Sequence, residues 1–546
     1  MTHPVLIQRA SEAMNSGQSS ARRRQVKQVQ SFLCGEWQYG QGKEQTLYNP
    51  ITGENVATAC TDGLDLAAAK AHAQTAGAKT LGEMTFAERG QLLKSMSLAL
   101  HEARDRLIDV STENVGTSRG DAKFDIDGGI GTLAYYAKLG KDLGEQRFIV
   151  DGGPDPLTRA TRFMGYHVKT PKRGVALHIN AFNFPVWGMM EKAACALLAG
   201  VPVITKPATS TSLLACEAVK VLTEQNVLPD GVLQFVGGSL QNFFELLDGQ
   251  DTVAFTGSAA TGSYLRRHDN VVNHNVGFNV EADSLNAAVL GPDLGADDEA
   301  YQLFLRNLQT EITQKAGQKC TAIRRIFVPA GMIDQVQEDL IERFNDVKVG
   351  NPMLREVSVG PLATQQQKED ALKGIGQLVE DGATMFFGTP EKPDLVDIDH
   401  DNGYFIGPAL LRVDQPQEHP SVHDLEVFGP VSTLMPYDDE NEAVALVAKG
   451  QGSLVASLYS NDKKWVENVL MGIAPFHGRV YWGNAKVADQ ATTPGMVLPV
   501  SIHGGPGRAG GGEELGGLRG LDFYLQRTAI QGDRGALNRM FGIKEA

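Results

Sequence analysis

The sequence predicts an α/β protein built from more than one parallel-stranded unit, and three observations carry that prediction. Short apolar runs alternate with longer helical patterns from Gly174 to Gly238, and a second alternation of the same kind runs from Ala287 to Leu458. The third observation is composition: 546 residues with 42% hydrophobic and 21% charged side chains can bury a sizeable core, so disorder is not the default. A chain of this length exceeds one ordinary core, and a prior of roughly 150 residues per domain gives about three or four folded units.

Taken in order, residues 1–30 are polar and rich in Ser, Gln and Arg, and read as an N-terminal extension, partly helical around Arg22 to Gln30. Alanine-rich helical patterns follow from Leu64 to Val110, where "AERGQLLKSMSLALHEARDRLIDV" repeats its apolar residues at helical spacing. From Gly174 the order is strand "GVALHIN", helix "VWGMMEKAACALLAG", strand "VPVITKP", helix "SLLACEAVKVLTEQN" and strand "GVLQFVGG". Such alternation implies parallel strands joined by crossover helices, with ligands outside the carboxyl ends of the strands. Asn183, Lys206 and Gly257 all fall just after predicted strands. The second alternation includes the strand "RRIFVPA" and the helix "MIDQVQEDLIERFNDV". The stretch Gly504 to Leu518, "GGPGRAGGGEELGGL", is glycine-rich enough to be either a flexible linker or a loop that lets backbone approach a ligand. The chain has no internal repeat at solenoid periods.

Fifty basic against 65 acidic residues give a net charge of -15, which disfavours nucleic acid and anionic membranes as partners. Arg22, Arg23 and Arg24 form one short basic run, which reads as a solvated surface. No apolar stretch approaches the roughly 18 residues of a membrane span, and the N-terminus lacks an apolar signal core, so a cytoplasmic location is expected. The five cysteines, Cys34, Cys60, Cys195, Cys216 and Cys320, are scattered, with no C-x-x-C pair and no nearby His. Neither a disulfide framework nor a metal site is expected.

A lone cysteine is as a rule a small buried hydrophobe, and Cys195 and Cys216 on alanine-rich helical faces fit that description. Cys320 lies in "KAGQKCTAIRR", beside Lys319, after a long helical pattern and before a strand. A thiolate there would be a strong nucleophile if neighbouring positive charge lowered its pKa. Its company decides the reading. "NAFNFPVW" with Asn183, "TKPAT" with Lys206, "FTGSAATG" with Gly257 and Ser258, "NVEADSLN" with Glu281, "GQKC" with Cys320 and "EVFGPV" with Glu426 occur in that order.

This string resembles the aldehyde dehydrogenase superfamily, and with "GEWQYGQGKEQTLYNPITGENVA" near the start the likeness runs from about Phe32 to about Ile530. The resemblance implies a Rossmann-like cofactor domain (31–153 and 173–280), an α/β catalytic domain (281–503) and small β oligomerisation segments (154–172 and 504–546). A homodimer or a dimer of dimers is implied with it. It further implies that Cys320 attacks an aldehyde, that the Asn183 amide and the Cys320 backbone N–H meet the resulting oxyanion, and that Glu281 is the general base for thioester hydrolysis. Asn183 has a second reading, as a cap for the helix after Pro185. The sequence departs from the usual pattern after the base, where Ala282, Asp283 and Ser284 replace a leucine and a glycine pair, so Asp283 enters as a rival base.

For the cofactor, the resemblance assigns Phe182, Lys206, Thr209, Gly257, Ser258, Glu426 and Phe428. Glu426 and Phe428 match the pair that holds the nicotinamide ribose and ring, and Gly257 with Ser258 opens a predicted helix toward a phosphate. NAD users in the superfamily commonly carry glutamate where this chain has Thr209. A threonine removes a charge that would repel a 2′-phosphate, so NADP is expected over NAD, with N-capping of the next helix as the alternative role for Thr209.

Within the superfamily the likeness is to the acyl-CoA semialdehyde dehydrogenases of aerobic, CoA-dependent benzoate and phenylacetate breakdown. It is carried by "INAFNFP", "FTGSAATG", "NVEADSLN", "AGQKCTAIRR" and "SIHGGPGRAGGGEELGGLRG". The implied substrate is a small aldehyde, CoA-linked in this branch. Some members carry an added hydratase domain; this chain ends at Ala546 and is expected to lack the ring-opening hydrolase activity. The rival readings are a CoA-acylating dehydrogenase, against which Glu281 argues, and a catalytically silent scaffold subunit, against which the presence of both Cys320 and Glu281 argues.

Overall fold

The computed structural model describes residues 26–543. Its first seven-stranded sheet has the order Gly277–Glu281, Thr252–Thr256, Ala176–Ile179, Val203–Lys206, Leu233–Phe235, Ser31–Leu33, Glu36–Gln38. The first five strands are parallel; Ser31–Leu33 adds antiparallel to Leu233–Phe235, and Glu36–Gln38 pairs antiparallel with it at the edge. The predicted alternation is therefore present strand for strand. The helix Trp187–Ala199 is buried along nearly its whole length, because every side chain of "WGMMEKAACALLA" except Glu191 and Lys192 is small or apolar, and Lys192 pairs with Glu514. It packs against the long helix Arg119–Leu143, which also packs on Phe86–Glu102. Phe86–Glu102 begins with a capping box, in which Thr85 accepts from the Glu88 backbone and Glu88 accepts from the Thr85 backbone.

The second seven-stranded sheet has the order Thr384–Phe387, Ala409–Arg412, Val431–Tyr437, Arg325–Pro329, Ala287–Leu290, Ser453–Tyr459, His477–Gly483. All pairs are parallel except the edge pair of Thr384–Phe387 with Ala409–Arg412. Apolar side chains fill both faces, as expected for parallel sheets covered by helices. A third, antiparallel sheet joins Ile149–Pro156, Phe163–Pro171 and Leu525–Asp533. Among the described residues, no helix is long and apolar enough to cross a membrane.

Two local expectations are revised or resolved. Lys27–Val29 is not helical but a strand, paired parallel with Ala57–Ala59, because a sheet partner far along the chain overrides local propensity; Arg22, Arg23 and Arg24 lie outside the described residues. The glycine-rich stretch is no free linker: Ile502–Gly505 and Gly512–Leu515 form an antiparallel hairpin that lies on the strand Gly277–Glu281. A Cβ at Gly510 or Gly512 would collide with the Val280 carbonyl, and Gly510 also has φ +105°, so glycine is what lets the two backbones touch.

Candidate active site

Glu281 is the last residue of its strand, level with Thr256 on the neighbouring strand, so both side chains emerge at the carboxyl edge of the first sheet. Cys320 is delivered from the second sheet's side by an irregular turn. The helix Glu299–Thr313 ends, Lys315, Ala316 and Gly317 take positive φ, and the chain doubles back toward Arg325–Pro329. Two side chains pin this turn: Asn286 donates to the Cys320 carbonyl at 2.8 Å and the Ala322 carbonyl at 2.9 Å, and Arg324 donates to the Gly317 carbonyl at 2.8 Å. Arg324 also donates to the Gly429 carbonyl at 2.6 Å, tying the cysteine loop to the loop that carries Glu426 and Phe428.

Around Cys320 lies a cavity of about 40 Å³ walled by Phe124, Asn183, Trp187, Glu281, Val497 and His503. The Asn183 amide donates to the Gln318 carbonyl at 3.0 Å, which fixes the amide and leaves its second N–H available. Asn183 caps no helix; the N-cap of Trp187–Ala199 is Val186, whose own N–H, with that of Trp187, is taken by Asp125. Lys319, adjacent in sequence, turns away and forms a buried ion pair with Glu311 at 2.6 Å.

The neighbour that matters is His503, brought in by the glycine-rich hairpin. Its Nε2 lies 3.8 Å from Cys320 Sγ and 3.2 Å from Glu281 Oε1, the latter an ion-pair contact without hydrogen-bond alignment. Burial by itself would raise the Glu281 pKa, but the His503 imidazolium, assisted by Lys192, overrides it and holds the carboxyl below the ordinary range. In the reverse direction, burial would lower His503, and Glu281 raises it. The Cys320 thiol is pushed up, first by burial and then by the Glu281 carboxylate. Burial also pushes Cys195 and Cys216 up to about 12, as befits packing residues. Behind Glu281, Lys192 Nζ sits 3.1 Å from Glu514 and 3.6 Å from Glu191, whose carboxyl burial pushes up to about 7.

A larger cleft of about 580 Å³ opens from Cys320 and Glu281 along the carboxyl edge of the first sheet. Phe182, Lys206, Gly257, Ser258, Glu426 and Phe428 all line it; Thr209 is not among its lining residues, where Ala208 is the last of its segment. Phe182 and Phe428 meet edge to face at 5.8 Å. Glu426 accepts the Ser284 N–H through Oε2, while Oε1 is buried with no hydrogen-bond donor and its nearest cation, Arg324, 4.0 Å away. Burial, reinforced by Asp283, pushes its carboxyl up to about 7. A buried carboxylate oxygen that lacks a donor is what a ribose hydroxyl would satisfy, so the residues present fit a dinucleotide. Ser258 caps the helix Ala259–Arg266, but that helix's first N–H is already taken by Asp283 at 2.9 Å.

The aldehyde dehydrogenase family profile matches residues 37–530 of this chain. The chain belongs to the aldehyde dehydrogenase family. It is 42% identical over 476 residues, 87% of its own length and 92% of the relative's, to the 3,4-dehydroadipyl-CoA semialdehyde dehydrogenase of Aromatoleum evansii. An NAD+ complex of aldehyde dehydrogenase from Bacillus cereus superposes with TM-score 0.80 at 25% identity, covering 93% of this chain and 97% of that one. Betaine aldehyde dehydrogenase of Staphylococcus aureus, in complex with NAD+, shares the fold with TM-score 0.78 at 23% identity over 92% and 94% of the two chains. As an aldehyde dehydrogenase, the chain is an oxidoreductase that acts on an aldehyde through a cysteine and a nicotinamide dinucleotide. Sequence reasoning missed His503, Arg324 and Asn286, although all three lie in or beside quoted motifs. The spacing of His503 from Cys320 along the chain, 183 residues, offers no local signal.

Proposed function

We propose that this aldehyde dehydrogenase oxidises an acyl-CoA semialdehyde of aromatic-acid degradation to the carboxylic acid, with NADP preferred over NAD. The observation that carries the reaction is the meeting of Cys320, Glu281, His503 and Asn183 around one cavity. Cys320 sulfur adds to the aldehyde carbon, and its thiol proton leaves toward the Glu281–His503 pair. The negative oxygen so formed accepts from the Asn183 amide and the Cys320 backbone N–H, donors worth roughly 2.7–4 kcal/mol each in other enzymes. The nicotinamide, when bound, supplies the hydride acceptor, and Phe182, Phe428 and Glu426 would hold that end of the cofactor. Lys206 would hold the adenosine end, with Gly257 and Ser258 beside the phosphates and Thr209 at the margin of the cleft, next to the lining residue Ala208. An acyl thioester remains on Cys320; the thiol proton passes from the pair to solvent, and Glu281 then takes a proton from the water that hydrolyses the thioester and returns it to the departing sulfur.

The substrate class rests on the 42% likeness to the relative named above. A CoA-acylating outcome is disfavoured by the placement of the Glu281 carboxyl on the same cavity as Cys320, where it can take a proton from water. The antiparallel sheet that includes Phe163–Pro171 and Leu525–Asp533 is proposed as the surface of a homodimer or dimer of dimers, in the cytoplasm. Following reduced cofactor across short aldehydes and acyl-CoA semialdehydes, with and without free CoA, tests the reading. A higher kcat/KM for benzaldehyde or hexanal would refute the substrate class, and a requirement for free CoA would refute hydrolysis.

A further inference from the structure

The three side chains gathered at the nucleophile are also three metal-ligand types. Cys320 Sγ, His503 Nε2 and a Glu281 carboxylate oxygen all lie within 4.8 Å of one another. Zinc binds sulfur at about 2.3 Å and nitrogen or oxygen at about 2.0 Å, so a tetrahedral ion needs an S···N edge of about 3.5 Å and an N···O edge of about 3.3 Å. The corresponding separations here are 3.8 Å and 3.2 Å. The third edge, from sulfur to the Glu281 oxygen, is within 4.8 Å against about 3.5 Å for the ion, so the sulfur would move inward to complete the shell. The Glu281 Oε1 atom is buried and accepts no aligned hydrogen bond, which leaves a lone pair free for a cation. The cavity of about 40 Å³ beside the three groups accommodates one ion with a water in the fourth position.

We propose that Cys320, His503 and Glu281 form a reversible binding site for Zn2+ and that its occupation silences the enzyme. A thiolate and an imidazole select zinc over magnesium or calcium, which prefer an all-oxygen shell. The ion has a route in, because Cys320 and Glu281 line the open cofactor cleft as well as the cavity. Three bonds form, Zn–S, Zn–N and Zn–O; the Cys320 thiol proton and any proton on His503 Nε2 pass to solvent, and nothing is oxidised or reduced. Lys192 lies nearby and opposes a cation, but its ammonium is paired with Glu514 at 3.1 Å. Once bound, zinc occupies the sulfur needed for attack and the carboxylate needed for hydrolysis. The site itself stands on geometry, whereas the silencing rests on the roles proposed above for those two residues.

The test uses the untagged full chain without cofactor, with Zn2+ titrated calorimetrically and Co2+ followed by absorption. One equivalent per chain is expected, together with a thiolate-to-cobalt charge-transfer band and tetrahedral d–d bands. Loss of a zinc-site supporting partner costs 10–100-fold in affinity, so loss of a direct ligand in His503→Asn or Cys320→Ala should cost at least about 100-fold. The charge-transfer band should vanish in Cys320→Ala and persist, shifted, in Glu281→Gln. Circular dichroism melting shows which variants fold. Unchanged affinity in both His503→Asn and Cys320→Ala, or no charge-transfer band in the unaltered enzyme, would overturn the site while leaving the catalytic roles untouched. Stoichiometric binding at these residues with turnover undiminished would overturn the silencing and count against the catalytic roles. Full recovery of activity on chelation is the expected result.

Discussion

Asp283 Oδ1 accepts the backbone N–H of Ala259 at 2.9 Å, so the carboxylate that replaces a glycine of the usual family pattern is seated at a helix start on the wall of the cofactor cleft. It is not part of the Cys320, His503 and Glu281 cluster. A negative charge at a helix N-terminus stabilises the helix but competes with a phosphate for the same end. Asp283→Asn keeps an acceptor for Ala259 and removes the charge. We expect it to tighten NADP binding about two- to fivefold, corresponding to roughly 0.3–1 kcal/mol, and to leave thioester hydrolysis at its normal rate. Fluorescence titration of the cofactor and single-turnover kinetics measure the two effects; accumulation of an acyl-enzyme in this variant would restore Asp283 as a base.

Glu281→Gln should stop the cycle after oxidation. The expected result is one equivalent of reduced cofactor per active site in a rapid burst, and an acyl adduct on Cys320 by intact mass. Continued turnover near the normal rate would move the base elsewhere.

His503→Asn should move the acid limb of the kcat profile to higher pH. In the unaltered enzyme the imidazolium holds Glu281 below its ordinary range, so the base stays ionised until the pH falls through that lowered value. Without the imidazolium, burial raises the carboxyl pKa, and the base is lost earlier on acidification. The pair's contribution to stability follows the same logic. Glu281's share is full above its unfolded pKa and disappears as pH falls through the folded one, while His503's share is full below its unfolded pKa and disappears as pH rises through its raised folded value. The stability difference between the unaltered enzyme and His503→Asn should therefore be greatest between the unfolded pKa values of a glutamate and a histidine and fade as the pH passes toward either folded value, at most about 3–5 kcal/mol. Thermal melts across pH check this; a difference independent of pH would mean that His503 acts by packing alone.

Thr209→Glu should shift cofactor preference from NADP toward NAD. A carboxylate near a 2′-phosphate costs of order 1–4 kcal/mol per unit charge pair at about 4 Å, depending on dielectric, or roughly 5- to 1000-fold in the ratio of kcat/KM values. The side chain of Thr209 forms no cap on the helix Ser212–Glu224, so the change leaves that helix start intact. Equal kcat/KM for both cofactors in the unaltered enzyme would refute the preference, and an unaltered ratio in the variant would refute the mechanism.

The sequence by itself determined the alternation of strands and helices, the family, and the identity of the residues on strand ends. Period-two and period-3.6 patterns are local, and Lys206, Gly257 and Glu281 sit at or beside strand ends wherever the strands go. Local pattern misread Lys27–Val29, because its partner Ala57–Ala59 lies some thirty residues on. Tertiary structure alone decided the environment of Cys320. The adjacent Lys319 is spent on Glu311, whereas His503, 183 residues away, reaches the sulfur. It does so because Gly510 and Gly512 permit a backbone contact that larger residues would block, and such a contact depends on atoms from both segments. Which charge faces a nucleophile is a three-dimensional property, set by packing and desolvation, and neighbours along the chain do not report it.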